Sequence, residues 1–144
     1  MPSTFSALYV HVIFSTKDRL PLIQSRWRER LHSHLGAVLK EREVIPIAIG
    51  GVADHVHILM RLKAVHAPAV VVRELKAVSS KWIRKERFEP LFGWQEGYGA
   101  FSVSPTNVDA VRAYIANQED HHRKRTAEEE FRDFLKKIGA DPEP

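Results

Sequence analysis

The chain contains an eight-residue stretch, DHVHILMR, that limits the possible folds more than any other feature. In a β-strand, side chains alternate between the two faces, so His55 and His57 point to the same side. Val56, Ile58 and Met60 then point to the opposite side, which is apolar and suited to packing beneath helices. The sequence therefore predicts a strand with one face in the core and one face whose two imidazoles form an incomplete metal site.

Composition narrows the class of protein. With 144 residues, the chain is expected to form a single domain, residues 1–144. The absence of cysteine excludes disulfides, thiolate zinc sites and cysteine nucleophiles. A net charge of +4 favours a polyanionic partner, nucleic acid first. The first residues do not resemble a signal peptide, and the longest apolar run, residues 67–72, is too short to span a bilayer. We therefore expect a cytoplasmic protein without a membrane segment.

The spacing of apolar residues predicts an order of elements. Strands are expected at residues 6–14, 44–49, 54–63 and 98–103. Helices are expected at 21–42, from Pro68 onward, at 104–123 and at 127–138, with a turn at Gly50-Gly51. This order, β-α-β-β-α-β followed by two helices, predicts an α+β, ferredoxin-like (split βαβ) antiparallel sheet with helices on one face. The histidine face would then be open to chemistry, nucleic acid or a second subunit.

The C-terminal helical segment, at about residues 105–138, contains a second pair of polar residues. Tyr114 and Gln118 are four residues apart, so they lie one turn apart on one side of the predicted helix. Val111 and Ile115 form the neighbouring apolar stripe, which places the pair at the margin between core and solvent. Tyr114 and Gln118 are therefore within reach of the sheet or of a partner subunit.

These motifs together resemble the single-tyrosine HUH transposases of small insertion sequences, including the REP-associated and IS200-like enzymes. His55-Val56-His57 is similar to the family's histidine–hydrophobe–histidine element, and Tyr114 with Gln118 is similar to its tyrosine-x-x-x-glutamine helix. Residues 12–19, at the end of the first predicted strand, are similar to the family's N-terminal segment. The resemblance covers nearly the whole chain, in the family's order.

The resemblance implies an activity and a set of partners. A divalent metal, Mg²⁺ or Mn²⁺, would be held by His55, His57 and Gln118, and Tyr114 would attack single-stranded DNA to form a 5′-phosphotyrosine. The DNA would be a hairpin-forming strand. The resemblance also implies a homodimer in which the tyrosine helix of one subunit serves the histidines of the other.

Some residues allow alternative assignments. His121 lies near the same side of the predicted helix as Gln118 and is an alternative third metal ligand. With His122 and the basic residues that follow, it would instead form a phosphate-binding patch. Tyr98, flanked by glycines, is a rival nucleophile. His11 is interpreted as a core or edge histidine, and three further histidines are interpreted as ordinary surface residues: His32, His34 and His66.

Basic side chains that could contact DNA occur in three parts of the chain. One group follows the first strand, a second forms a stripe on the helix that begins at Pro68, and the third lies near the C-terminus. The alternative for the stripe is a solvated helix face. The predicted DNA-binding residues are Lys17, Arg19, Arg73, Lys76, Arg84, Arg123, Lys124 and Arg125.

Three other functions compete with transposition. A non-catalytic nucleic-acid-binding module would use stacking aromatics such as Tyr9 and Phe101, but it leaves His55 and His57 unexplained. A domesticated relative would keep the cleavage chemistry to process repeated hairpins. A replication or mobilisation initiator of the HUH class is usually part of a longer chain.

Overall fold

The protein is described here by a computed structural model, which covers residues 4–119 together with residues 129, 132, 133 and 136. The strands are β1 (Leu8–Ser15), β2 (Ile45–Gly51), β3 (His55–Leu62) and β4 (Gly99–Val103). The helices are α1 (Ser25–Glu41), α2 (Pro68–Lys85) and α3 (Val108–Ala116), with short 3₁₀ turns at Lys17–Arg19 and Pro105–Asn107. The strands form one antiparallel sheet in the order β2-β3-β1-β4. The predicted ferredoxin-like α+β fold is confirmed.

The main core lies between one face of the sheet and the helices α1 and α2. Val56, Ile58 and Met60 of β3 are fully buried there, as the alternating pattern predicts. The helices contribute apolar side chains at helical spacing, and β1 adds its own alternate residues to the same cluster. The principal contributors are Val12, Phe14, Trp27, Leu31, Leu35, Val71, Leu75 and Ile83.

Helix α3 crosses the opposite face of the sheet, over β2 and β3. Ile115 of α3 is buried against these strands, and a Cβ atom at Gly50 would lie only 2.5 Å from the carbonyl oxygen of Ile115. The helix backbone therefore approaches β2 closely because Gly50 has no side chain. The expectation that this face is open is wrong over β2 and β3, because the chain's own α3 covers it.

Several predicted boundaries shift for physical reasons. Pro21 does not begin the first helix, which starts at Ser25, because the preceding segment is tied to the β2–β3 loop by the Ile23 N–H donating to the Ala53 carbonyl at 2.9 Å. Gly50 and Gly51 do not form the turn but belong to β2, opposite His57 and Val56. The reversal of the chain takes place over the three residues that follow them.

The C-terminal segment differs from the prediction where α3 ends, and only some of its residues are described. α3 ends at Ala116, and Asn117 leaves helical geometry with φ −102° and ψ 24°. Of the helix predicted at 127–138, the four described positions are helical and the others lie outside the described residues. None of the helices in the described part is long and apolar enough to cross a membrane.

One edge of the sheet is irregular. β2 forms this edge, and Pro46 lies within it opposite Met60. The pairing register of β2 on β3 shifts between Pro46 and Ala48, which indicates a bulge at this point.

Candidate active site

β3 presents its two histidines on the face that α3 covers. His55 and His57 are each 3% exposed, and their ring centroids lie 5.0 Å apart. The alternation of the strand places them on this side, while Val56 between them enters the main core. The two imidazoles are therefore close neighbours in a region from which most bulk water is excluded.

His55 is oriented by a carboxylate and faces an amide. Its Nδ1 lies 2.8 Å from Oδ1 of Asp54, and its Nε2 lies 3.3 Å from Oε1 of Gln118. A carboxylate only accepts hydrogen bonds, so a hydrogen on Nδ1 of His55 points to Asp54, and in the neutral ring Nε2 carries the lone pair. In that tautomer Nε2 of His55 and Oε1 of Gln118 are both lone-pair donors directed at the same place, which is the arrangement that a bound cation uses.

Gln118 is held in this orientation by the end of α3. Its side-chain Nε2 donates at 3.4 Å to the carbonyl of Tyr114, which also accepts from the N–H of Asn117 at the end of α3. With Nε2 used in this way, Oε1 is the atom that points to His55. Gln118 is 2% exposed, so the amide is buried together with the histidines.

Tyr114 lies in the last turn of α3, beside the second histidine. Its ring centroid is 5.7 Å from that of His57 and 6.3 Å from that of His11, in edge-to-face arrangements. The structure thus brings Tyr114 and Gln118 to the histidines of the same chain. The rival tyrosine, Tyr98, lies beside Lys76 of α2 instead.

His11 is a member of this cluster that the sequence did not identify. It is fully buried on β1, and its Nε2 lies 2.9 Å from Nδ1 of His57. Burial lowers the pKa of His11 to about 4, so the imidazole is neutral at physiological pH. The alternation of side chains on β1 could have indicated this position, because His11 is opposite Leu59, which lies on the histidine face of β3. The contact itself joins residues that are 46 positions apart in the sequence.

The donor atoms fit a divalent cation of the oxygen- and imidazole-binding type. At metal–ligand distances of about 2.1 Å, adjacent donors in an octahedron are about 3 Å apart, close to the 3.3 Å between His55 Nε2 and Gln118 Oε1. No group of three or more histidine, cysteine, aspartate or glutamate side chains among the described residues could hold a metal ion. The candidate set is instead two imidazoles and one amide oxygen.

Residues 4–118 match the family described as "Transposase IS200 like". The chain belongs to this family. It is therefore a transposase, a DNA-cleaving enzyme that acts in DNA recombination.

Solved structures share the fold of this IS200-like transposase. A candidate transposase from Deinococcus radiodurans R1 is 22% identical, with a TM-score of 0.67 over 82% of this chain and 95% of the other. A REP-associated tyrosine transposase bound to a REP hairpin is 14% identical, with a TM-score of 0.58 over 85% of this chain and 74% of the other. None of the curated proteins compared with the chain matches it.

A cleft of about 310 Å³ adjoins the candidate site of this transposase, between α1, β2 and the end of α3. Arg28, His32 and Gln118 are among the residues that line it. Burial, and secondly the charge of Arg28, lowers the pKa of His32 to about 4. His32 is thus not an ordinary surface residue, and His34 is not either, because it stacks on Trp82 with ring centroids 4.3 Å apart.

The basic stripe of the transposase's α2 is partly engaged within the fold. Lys76 donates through Nζ to the carbonyls of Gln95 and Gly97, and Arg84 donates to the carbonyl of Phe92 at 3.1 Å. Both side chains hold the connection between α2 and β4, whereas Arg73 is exposed. The stripe belongs to the helix that packs on the sheet face opposite the histidines.

The other predicted DNA contacts lie elsewhere. Lys17 and Arg19 are exposed in the 3₁₀ turn after β1, where Asp18 and Arg19 have positive φ angles of 57° and 54°. The predicted alternative ligand His121 lies outside the described residues, as does the predicted basic patch of Arg123, Lys124 and Arg125.

Proposed function

We propose that this chain cleaves and rejoins single-stranded DNA through a 5′-phosphotyrosine at Tyr114, assisted by a divalent metal held by His55, His57 and Gln118. The observation that carries the proposal is the 3.3 Å approach of Gln118 Oε1 to His55 Nε2, with Tyr114 one turn away above His57. A nucleophile and a cation-binding donor set thus lie side by side on the sheet face that α3 covers. Family membership supports this assignment because transposases must break DNA strands.

The tyrosine supplies the covalent step. The Tyr114 oxygen attacks the scissile phosphorus and loses its proton to solvent, and the bond between phosphorus and the 3′ oxygen breaks. The departing 3′ oxygen takes up a proton and becomes a 3′-hydroxyl. The phosphotyrosine conserves the energy of the phosphodiester bond, so a 3′-hydroxyl of another strand can reverse the reaction without ATP.

The metal-binding residues prepare the phosphate for this attack. A divalent cation, Mg²⁺ or Mn²⁺, would polarise the scissile phosphate when bound between them. Asp54 holds the His55 ring, and the end of α3 holds the Gln118 amide, so both donors are fixed before DNA arrives. The neutral imidazole donors add no negative charge to the site, which favours the approach of a phosphate.

The DNA is held mainly through its phosphates. The net charge of +4 and the exposed side chains of Lys17, Arg19 and Arg73 support binding to a polyanion. A hairpin-forming substrate is supported by the shared fold of a tyrosine transposase bound to a REP hairpin. Lys76 and Arg84 are the weaker members of the predicted set because they already bind backbone carbonyls.

Covalent capture of DNA tests the nucleophile. The wild-type protein is incubated with Mg²⁺ or Mn²⁺ and a labelled pool of hairpin oligonucleotides with varied single-stranded flanks, and adducts are resolved on a denaturing gel. Tyr114→Phe is expected to abolish the adduct, while the matched variant Tyr98→Phe retains it. An adduct of unchanged yield in Tyr114→Phe would show that another residue attacks.

A second candidate function is the processing of repeat hairpins by a domesticated enzyme with the same chemistry. The shared fold of a REP-associated tyrosine transposase bound to a REP hairpin supports this alternative. A strand-transfer assay separates the two functions, since a transposase joins the captured strand to a new 3′-hydroxyl. Cleavage without transfer would favour the domesticated enzyme, and binding without cleavage would favour a non-catalytic module.

A further inference from the structure

We infer that His11 is a positioning residue that selects the metal-binding tautomer of His57. His11 lies on β1, is fully buried and places its Nε2 2.9 Å from Nδ1 of His57. Two ring nitrogens at this distance share one hydrogen, so one ring donates and the other accepts. The inference rests on the proposed metal site, and it concerns which nitrogen of His57 is the ligand.

The direction of this hydrogen bond determines whether His57 can bind a cation through Nε2. If Nδ1–H of His57 donates to Nε2 of His11, the lone pair of His57 resides on Nε2, as it does in a metal ligand. If His11 donates instead, the hydrogen of His57 resides on Nε2 and blocks ligation there. The first direction matches His55, whose Nδ1–H donates to Asp54 and whose Nε2 faces Gln118.

The sheet brings His11 to this position. In the antiparallel register, His57 is opposite Ile13 and His11 is opposite Leu59, so the two histidines are diagonal neighbours on one face. Their ring centroids are 5.1 Å apart with planes inclined by 31°. Because both residues belong to paired central strands, the geometry is fixed by the backbone of the sheet and does not depend on a loop.

A neutral acceptor suits this location better than a second carboxylate. A buried carboxylate would be costly to desolvate and would neutralise more of the charge that attracts the scissile phosphate. An imidazole orients His57 without adding charge. Two residues then orient the histidine ligands. Asp54, a partly exposed carboxylate, orients His55, and His11, a buried neutral imidazole, orients His57.

The tautomer of His57 can be measured directly in the metal-free protein. We expect ¹⁵N NMR of uniformly labelled wild-type protein to show His57 with the hydrogen on Nδ1. His11→Phe, which cannot accept a hydrogen bond, is expected to move His57 toward the Nε2–H form that predominates in free imidazole side chains. His11→Gln, whose Oε1 can accept, should keep the Nδ1–H form. A wild-type His57 with its hydrogen on Nε2 overturns the inference.

Metal affinity gives the second readout. Titration with Mn²⁺, followed by electron paramagnetic resonance, is expected to show binding weakened by about 10- to 100-fold in His11→Phe and largely restored in His11→Gln. His34→Phe, a histidine replaced far from the site, should bind Mn²⁺ as the wild type does. Unchanged affinity in a folded His11→Phe protein overturns the inference, as does equal weakening in His11→Gln with an intact sheet.

The two measurements also separate this inference from the proposed function. A wild-type protein that forms the Tyr114 adduct in the presence of a chelator and binds no Mn²⁺ would refute the proposed metal, and with it the positioning role. A protein that binds Mn²⁺ tightly but carries the hydrogen of His57 on Nε2 would refute the role of His11 alone.

Discussion

Burial keeps His11 and His32 neutral, since it lowers the pKa of each to about 4 from the ordinary value of 6.5. In the unfolded chain both imidazoles are exposed and take up protons as the pH falls below about 6.5. The unfolded state therefore binds more protons than the folded state between about pH 6.5 and pH 4. The free energy of unfolding is therefore highest above this range and decreases as the pH falls through it.

Acid sensitivity should therefore decrease when one of these histidines is replaced. The free energy of unfolding of the wild type is expected to fall between pH 6.5 and pH 4, with His32 contributing about 2–3 kcal/mol of that loss. In His32→Gln, urea denaturation at several pH values should show that the unfolding free energy changes with pH by a slope smaller by about one proton. Ser33→Ala should keep the wild-type slope against pH. Equal slopes in all three proteins would show that His32 titrates normally in the folded state.

At the scale of the element, α3 is tightly constrained because its backbone lies against Gly50. An alanine Cβ at this position would lie 2.5 Å from the Ile115 carbonyl oxygen and 3.0 Å from its Cγ2 atom. Neither the carbonyl nor the strand can yield without moving the helix. The position of Tyr114 and Gln118 over the histidines therefore depends on a missing methyl group on β2.

Gly50→Ala is expected to displace α3 and to impair DNA cleavage more than it impairs folding. We expect the yield of the covalent adduct to fall at least about tenfold, because an error of about 1 Å in catalytic geometry can cost two orders of magnitude. Hydrogen exchange should show faster exchange of α3 amides, with β1 and β3 still protected. Wild-type adduct yield in Gly50→Ala would contradict this view of α3.

Gly36→Ala is the matched control for this substitution. Gly36 is in the interior of α1, and an added Cβ there would meet Ile49 at 3.6 Å, an ordinary contact. Alanine is favoured over glycine in a helix by about 1 kcal/mol, so this variant should be slightly more stable than the wild type. Its adduct yield should be unchanged.

The elements and the histidine face could be predicted from the sequence because they follow from local periodicity. The alternation of apolar residues around His55 and His57 predicts the strand and both of its faces, and the helical spacing of apolar residues predicts α1 and α2. The role of Gly50 could not be predicted, since a glycine pair between two strands is typical of a turn until α3 is known to lie against it. His11 was missed for the same reason: its partner, His57, is distant in sequence and only the sheet register joins them.

At the scale of the whole molecule, the candidate site is assembled within one chain. α3 packs on the sheet of its own chain, and Gln118 reaches His55 without a second copy. This arrangement differs from the exchange of tyrosine helices between subunits that the family resemblance implied. The predicted homodimer stays a prediction, but completion of the site by a partner is not needed for the contacts described.

Mixing two inactive variants tests assembly within one chain. Tyr114→Phe lacks the nucleophile and His57→Ala lacks a metal ligand, so a site built within one chain should stay inactive in the mixture. The two proteins are unfolded together, refolded and assayed for the covalent adduct, with refolded wild-type protein as the positive control. Recovery of a substantial fraction of wild-type yield would show that the tyrosine of one chain serves the histidines of another.

The irregular edge at β2 also affects how copies of the protein can associate. Proline offers no N–H to an incoming strand, and the register shift between Pro46 and Ala48 bends the edge away from the straight geometry that strand addition requires. Neighbouring copies therefore cannot extend the sheet along this side. At high local concentration, the irregular edge of β2 therefore protects the protein against edge-to-edge aggregation.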